Sequence, residues 1–164
     1  MASISKKIGS ITARTTTGSQ ATTGLGFAPK LLILWTNSMT GDGTAADACL
    51  MAQGMSDGAT SAWAAYFSKD NQSTSVARSS HSTAAGKIIG FANADGTLIF
   101  EAGLTSLDSD GFTLDYTTVD GVARIIQYLA IGGNGQFKVG TNTSPTFTGL
   151  QTISGVGFAP TGCI

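Results

Sequence analysis

LIFEAGLTSLDSDGFTLDYTT, residues 98–118, holds two strand-length runs on either side of an Asp-Ser-Asp-Gly turn. In the second run Phe112, Leu114 and Tyr116 alternate with Thr113, Asp115 and Thr117. That period of two is the mark of a strand with one face in a core. Working outward, KIIGFA (87–92) enters through Asn93-Ala94-Asp95-Gly96, and Val119-Asp120-Gly121 leads on to VARIIQYLAIGG (122–133). Asp-Gly pairs predict tight turns, because glycine accepts a positive φ. The whole stretch therefore reads as an antiparallel meander.

The first half is less regular. Pro29 opens KLLILWTNS, whose unbroken apolar run predicts a strand buried on both faces. SAWAAYF (61–67) predicts a strand with Trp63 and either Ala65 or Phe67 on one face. Thr12 to Thr23 is Thr-rich and suits an edge strand, whereas TAADACLMAQGM (44–55) fits a short helix or a strand equally well. Residues 69–86 are the most polar passage and read as a long surface loop with a weak strand inside; Gln136 to Val139 reads as one more short strand. The expectation is an all-β fold: an antiparallel β-sandwich or jelly-roll-like barrel of about eight to ten strands, with at most one short helix. Its divisions are a polar leader (1–10), a β-sandwich domain (11–140) and a C-terminal arm (141–164).

Composition narrows the function classes. The 164 residues suffice for one core, with 41% hydrophobic and only 12% charged residues and a net charge of −1. A nucleic-acid surface would need a basic patch, and a disordered chain would need fewer apolar residues. Sparse charge with many Ser, Thr and Gly residues suits a surface that is buried against neighbours without stranding charges. MASISKKIGS has no apolar h-region, so no secretory signal is read, and no run approaches the roughly 20 apolar residues of a spanning helix. Cys49 and Cys163 read as free, mostly buried thiols of a protein made in a reducing cytoplasm, with a disulfide between them as the alternative.

No constellation of residues reads as an active site. His81 is the lone histidine, flanked by Ser79, Ser80 and Ser82, without a Gly-x-Ser-x-Gly elbow. Asp108-x-Asp110-Gly111 opens like a calcium loop, but the twelfth position is Val119 rather than Glu. A metal site built from several loops would draw on Asp42, Asp57, Asp70 and Asp95. Glu101, Asp108, Asp110, Asp115 and Asp120 have no reason to converge as a glycosidase pair. Trp35, Trp63, Tyr66 and Tyr116 lie in apolar strand contexts, where core is the ordinary role, though a sugar-stacking face would use the same residues. No phosphate-binding Gly-rich loop is present. The expectation is no catalytic residue, no metal and no cofactor.

The chain also repeats itself. TARTTTGSQATTGLGFAP (12–29) recurs as TSPTFTGLQTISGVGFAP (143–160) at a constant offset of 131, Gly24 to Gly155, without a gap. Thr12, Gly18, Gln20, Gly24, Gly26, Phe27, Ala28 and Pro29 all have counterparts. The phrase reads as a strand-entry cassette. The second copy either pairs inside the same sandwich, as a pseudo-symmetric partner of 12–29, or adds to a neighbouring subunit.

GLGFAPKLLILWTN, LIFEAGLTSLDSDGFTLDYTT and VARIIQYLAIGG together resemble a group of tailed-bacteriophage and prophage proteins with GF-x-PK-apolar, SFDSDGFTL and YLA-GG segments. The resemblance covers residues 24–36 and 98–133. It implies a virion structural protein rather than an enzyme, and members of the group often carry two copies of the unit. The implied role is decoration or cementing of the capsid, by contacts with other copies of itself and with the major capsid or another virion protein, after synthesis in the host cytoplasm. The expected contact residues are Ile153, Val156, Phe158 and Ile164 of the arm, with Asn71, Gln72 and Arg78 of the polar passage. A tail-fibre or baseplate module that binds a host glycan through Asn71, Gln72, Arg78 and exposed aromatics is the alternative; exposure of Trp63 or Tyr66 would favour it and burial would disfavour it. Neither reading involves nucleic acid or a membrane.

Overall fold

A computed structural model describes residues 3–37, 39–41, 43, 48–69 and 76–164, with the side chains of residues 48 and 49 outside the description. The chain folds into strands β1 (Ile4–Thr12), β2 (Gly18–Thr23), β3 (Pro29–Thr36), β4 (Ala48–Ser56), β5 (Ser61–Lys69), β6 (Val76–Ser82), β7 (Lys87–Ala92), β8 (Leu98–Asp108), β9 (Gly111–Thr118) and β10 (Ile125–Gly133). Among the described residues there is no helix. Two antiparallel sheets result, ordered β1-β10-β3-β4-β5-β6 and β2-β9-β8-β7. The all-β sandwich read from the sequence is the observed fold.

Alternation builds the core. Leu32, Leu34, Ala52, Trp63 and Ala65 from the larger sheet meet Phe91, Phe100, Phe112, Leu114 and Tyr116 from the smaller one. Phe91 stacks on Phe100 with centroids 5.1 Å apart, and Phe112 meets Tyr128 edge-on at 5.3 Å. Glycine permits one backbone contact between the sheets. A Cβ at Gly54 would lie 1.6 Å from the Ile88 carbonyl oxygen, so β4 passes β7 at backbone contact.

Several expectations shift. The 1–10 leader is not separate from the domain, because Ile4–Thr12 pairs with β10 along nine positions. The 44–55 segment yields a strand, β4, rather than a helix. Within the polar 69–86 passage, β6 is a full seven-residue strand paired to β5. Gln136 to Val139 forms no strand. The meander ends at β9: Val119-Asp120-Gly121 carries the chain across to the other sheet rather than into a hairpin. Gly96 and Gly121 have the positive φ expected of turn glycines, at 86° and 81°. Gly111 does not, and is needed because a Cβ there would sit 1.8 Å from the Thr22 carbonyl oxygen.

That crossing is held by a charge. Arg124 is buried, donating to both carboxylate oxygens of Asp120 at 2.5 Å each. Its guanidinium lies 4.9 Å from the Phe91 ring centroid and 5.6 Å from that of Phe100, a cation–π arrangement that caps the aromatic core. The Arg124 side chain holds the Asp120 carboxyl below the ordinary carboxylate range, outweighing burial, which acts in the other direction.

Candidate assembly surface

The outward face of the six-stranded sheet carries an apolar row of its own, flanked by a row that includes Gln127, Gln53 and His81. Cross-strand pairing sets Ile8, Leu129, Ile33, Met55 and Ala62 in one row across five strands, with no polar residue among them. Beside it, Leu31 pairs with Ile131. This is why β3 reads as one apolar run: it is a central strand buried on both sides. The chain after β10 folds back over this row, and Phe137 and Val139 complete a second small core with Leu31 and Ile33.

Asp57, in the β4–β5 turn, pins that covering segment. Its carboxylate accepts the Val139 N–H at 2.8 Å and the N–H groups of Ala59 and Thr60 at 3.0 and 2.7 Å. Burial works against the charge, but those donors and the nearby Lys138 outweigh it, leaving the carboxyl below its ordinary pKa.

The cover is narrower than the face. At one end Ile4 and Ile8 of β1 remain exposed, Ile8 at 70%. Further along β4 and β5 on the same face, Met51 and Tyr66 form an exposed cross-strand pair, at 57% and 47%. The opposite outer face, on the four-stranded sheet, is polar: Lys87 bridges Glu101 at 3.1 Å, and Ser19 donates to Asp115. One outer face is suited to solvent and the other to a neighbour.

The repeated cassette has a defined seat in its first copy. Gly24 and Gly26, with φ of 83° and 82°, turn their N–H groups onto the Asp110 carboxylate, at 3.0 and 2.5 Å. The Leu25 N–H donates to the Asp110 carbonyl, and Leu25 itself is buried. Upstream, β2 pairs with β9 along six positions, and the Gln20 amide donates to the Thr12 carbonyl. Phe27 packs on the core, and Pro29 is the first residue of β3.

The second copy keeps the local shape and lacks the seat. Gly155 and Gly157 have φ of 80° and 86°, and the Gln151 amide donates to the Thr143 carbonyl at 3.0 Å, against 3.1 Å in the first copy. Residues 141–164 form no strand, so pairing inside the same sandwich does not occur. Val156 and Phe158 are half-buried along a groove of about 520 Å³ shared with Pro29, Leu107 and Phe137. Leu150 is fully exposed, and Ile153 and Ile164 are also exposed.

The other residues singled out in the sequence scatter. Arg78 lies on β6 and donates to the Ala94 carbonyl; Asn71 and Gln72 lie outside the described residues, as do Asp42 and Asp70. His81 is exposed on β6. Asp108 accepts from Ser106 and Thr113, Asp110 from the Gly24 and Gly26 N–H groups, Asp115 from Ser19 and Asp120 from Arg124, so the carboxylates serve separate structural bonds. No group of metal-ligating side chains gathers among the described residues. Trp63 and Tyr116 are buried, Trp35 is half-buried and Tyr66 is exposed. Burial drives the Tyr116 hydroxyl pKa up strongly, and its oxygen has no hydrogen-bond partner among the described residues. Cys163 is a free thiol, exposed rather than buried; the Cys49 side chain lies outside the description. No described helix is long and apolar enough to cross a membrane.

The Asp110 clasp is set by the tertiary fold. Its one trace in the sequence is that Gly-x-Gly-Phe-Ala-Pro repeats while the Asp-Gly turn it grips occurs 84 residues away. Comparison with protein-family models, characterised proteins and solved structures returned no match.

Proposed function

We propose that this chain is a structural component of a tailed-bacteriophage virion, built to assemble with copies of itself and with a capsid or other virion protein. The observation that carries this reading is the five-strand apolar row on an outward face, covered in its middle and ending in exposed Ile8, with the exposed Met51–Tyr66 pair further along β4 and β5 on the same face. Exposed apolar side chains gathered on one face are the footing of a protein–protein contact. The sparse charge of the chain fits contacts summed over a symmetric array. The sequence resemblance to virion proteins points the same way, and decoration or cementing of the head is the role these features suit best.

Light scattering after size-exclusion chromatography tests assembly, on the full chain and on Ile8→Lys and Met51→Lys variants. A defined oligomer that dissociates in the variants, with unchanged circular dichroism, supports the reading. A monomer at all concentrations overturns it. Co-sedimentation with purified phage heads then tests the particle. Exposed Tyr66 favours one second reading, a glycan-binding tail module; buried Trp63 counts against it. Tyr66→Ala abolishing retention on a glycan array would establish it.

A further inference from the structure

We infer that residues 143–160 are a strand donor for a second copy of this chain, entering the slot that β2 occupies: along β9, with Gly155 and Gly157 gripping Asp110. The inference rests on the assembly reading for its partner, and on the repeat for its site.

The slot and its key are both on the page. β9 and the Asp110 carboxylate already hold one cassette in this fold. The arm carries each determinant of that grip at the same spacing: glycines of positive φ at 149, 155 and 157, the Gln151 amide bond to Thr143, then Phe158 and Pro160. Two glycine N–H groups held in this conformation form a concavity for an anionic oxygen. Among the described residues no acceptor meets the Gly155 and Gly157 N–H groups. The recognised ligand is therefore a carboxylate on an Asp-Gly turn beside the β9 edge, which a second copy provides when its own β2 is displaced.

Exchange trades like for like. The donor strand replaces β2 pair for pair, so its cost is mainly that of association, which an ordered array reduces by raising local concentration. Five side chains differ between 18–25 and 149–156, and two of them act in opposite directions. Thr22 has a buried hydroxyl without a partner, and its counterpart is Ile153, which removes that orphan group. Buried Leu25 becomes the smaller Val156.

Mixed single-cysteine chains test this, with both native cysteines replaced by serine. In β2, Ala21 is the cross-strand partner of Thr113 on the half-exposed face of β9. The offset of 131 puts Thr152 in Ala21's place and Ile153 on the opposite face. Chains carrying Thr113→Cys are mixed with differently tagged chains carrying Thr152→Cys and treated with mild oxidant. A covalent heterodimer at least tenfold above an Ile153→Cys control is the expected result. Equal yields with both, no heterodimer, or an intrachain bond alone in the Thr113→Cys/Thr152→Cys double variant would each overturn the inference. An oligomer seen by light scattering without the register-specific cross-link would overturn the strand donor while leaving assembly through the outward face intact.

Discussion

Asp120→Ala tests whether the charge at the sheet crossing stabilises the fold only as a pair. Its guanidinium partner, Arg124, has a side chain 6% exposed, against 24% for Asp120. Removing one member of a fully buried pair costs about 3–5 kcal/mol, chiefly because the other charge is stranded. Here the carboxylate sits at the rim, and water replaces part of what is lost. The cation also retains its place against the Phe91 and Phe100 rings. We therefore expect a loss of about 2–3 kcal/mol, which for a chain of this size lowers Tm by about 4–12 °C. The diagnostic comparison is the double variant Asp120→Ala/Arg124→Met, in which an apolar side chain of similar length lies against the same rings. It should be more stable than Asp120→Ala alone in urea titration, with an unchanged slope. If the double variant is less stable than the single one, the stranded-charge account is wrong and the stabilisation belongs to Arg124 itself.

Gly54→Ala should cost about 3 kcal/mol or more, because its methyl group would enter the Ile88 carbonyl; a well-folded variant of near-native midpoint would contradict the backbone contact of β4 and β7. Asp110→Asn should weaken the clasp by about 1–2 kcal/mol, since one of two charge-assisted bonds is lost at an exposed site, while Ser109→Ala next to it should be neutral; both are read by urea midpoint. For pH, Asp57 and Asp120 both have folded pKa values lowered from 3.8, so the unfolded chain takes up protons first as acid is added. Their stabilisation is complete above about pH 5 and is lost as pH falls through 4 towards the folded values. Asp120→Asn should flatten that decline, and a stability rising on acidification over the same range would refute the assignment.

Strands bounded by strong local signals were legible from sequence, and those defined by their neighbours were not. The β8–β9 hairpin and the doubly buried β3 follow from alternation and from an unbroken apolar run, which local side chains express directly. β1 reads as a leader because ISKKIGSIT is an edge strand with lysines at adjacent positions, so neither face shows a clean apolar period. β4 was ambiguous because Ala and Met carry little preference for strand, and only its place between β3 and β5 fixes it. Val119-Asp120-Gly121 looked like the other Asp-Gly turns, yet Asp120 is committed to Arg124 and the chain changes sheets. The repeat was visible at once, whereas its seat on Asp110 depends on strands brought together only by the tertiary fold.

Having two like cassettes in one chain has a kinetic side. β2 must wait for β9, and Ser19 meets Asp115 across 96 residues. The second cassette follows β9 at less than half that distance along the chain. Closing the shorter loop is favoured by about 0.6 kcal/mol per halving of length, so the later copy reaches the slot first in a collapsing chain. Native β2 then has to evict a near-twin, and the expected outcome is a slow refolding phase set by that exchange. A chain ending at Gly140 should refold without it, so the cassette that would join subunits in the assembled state is also a competitor during folding of each one.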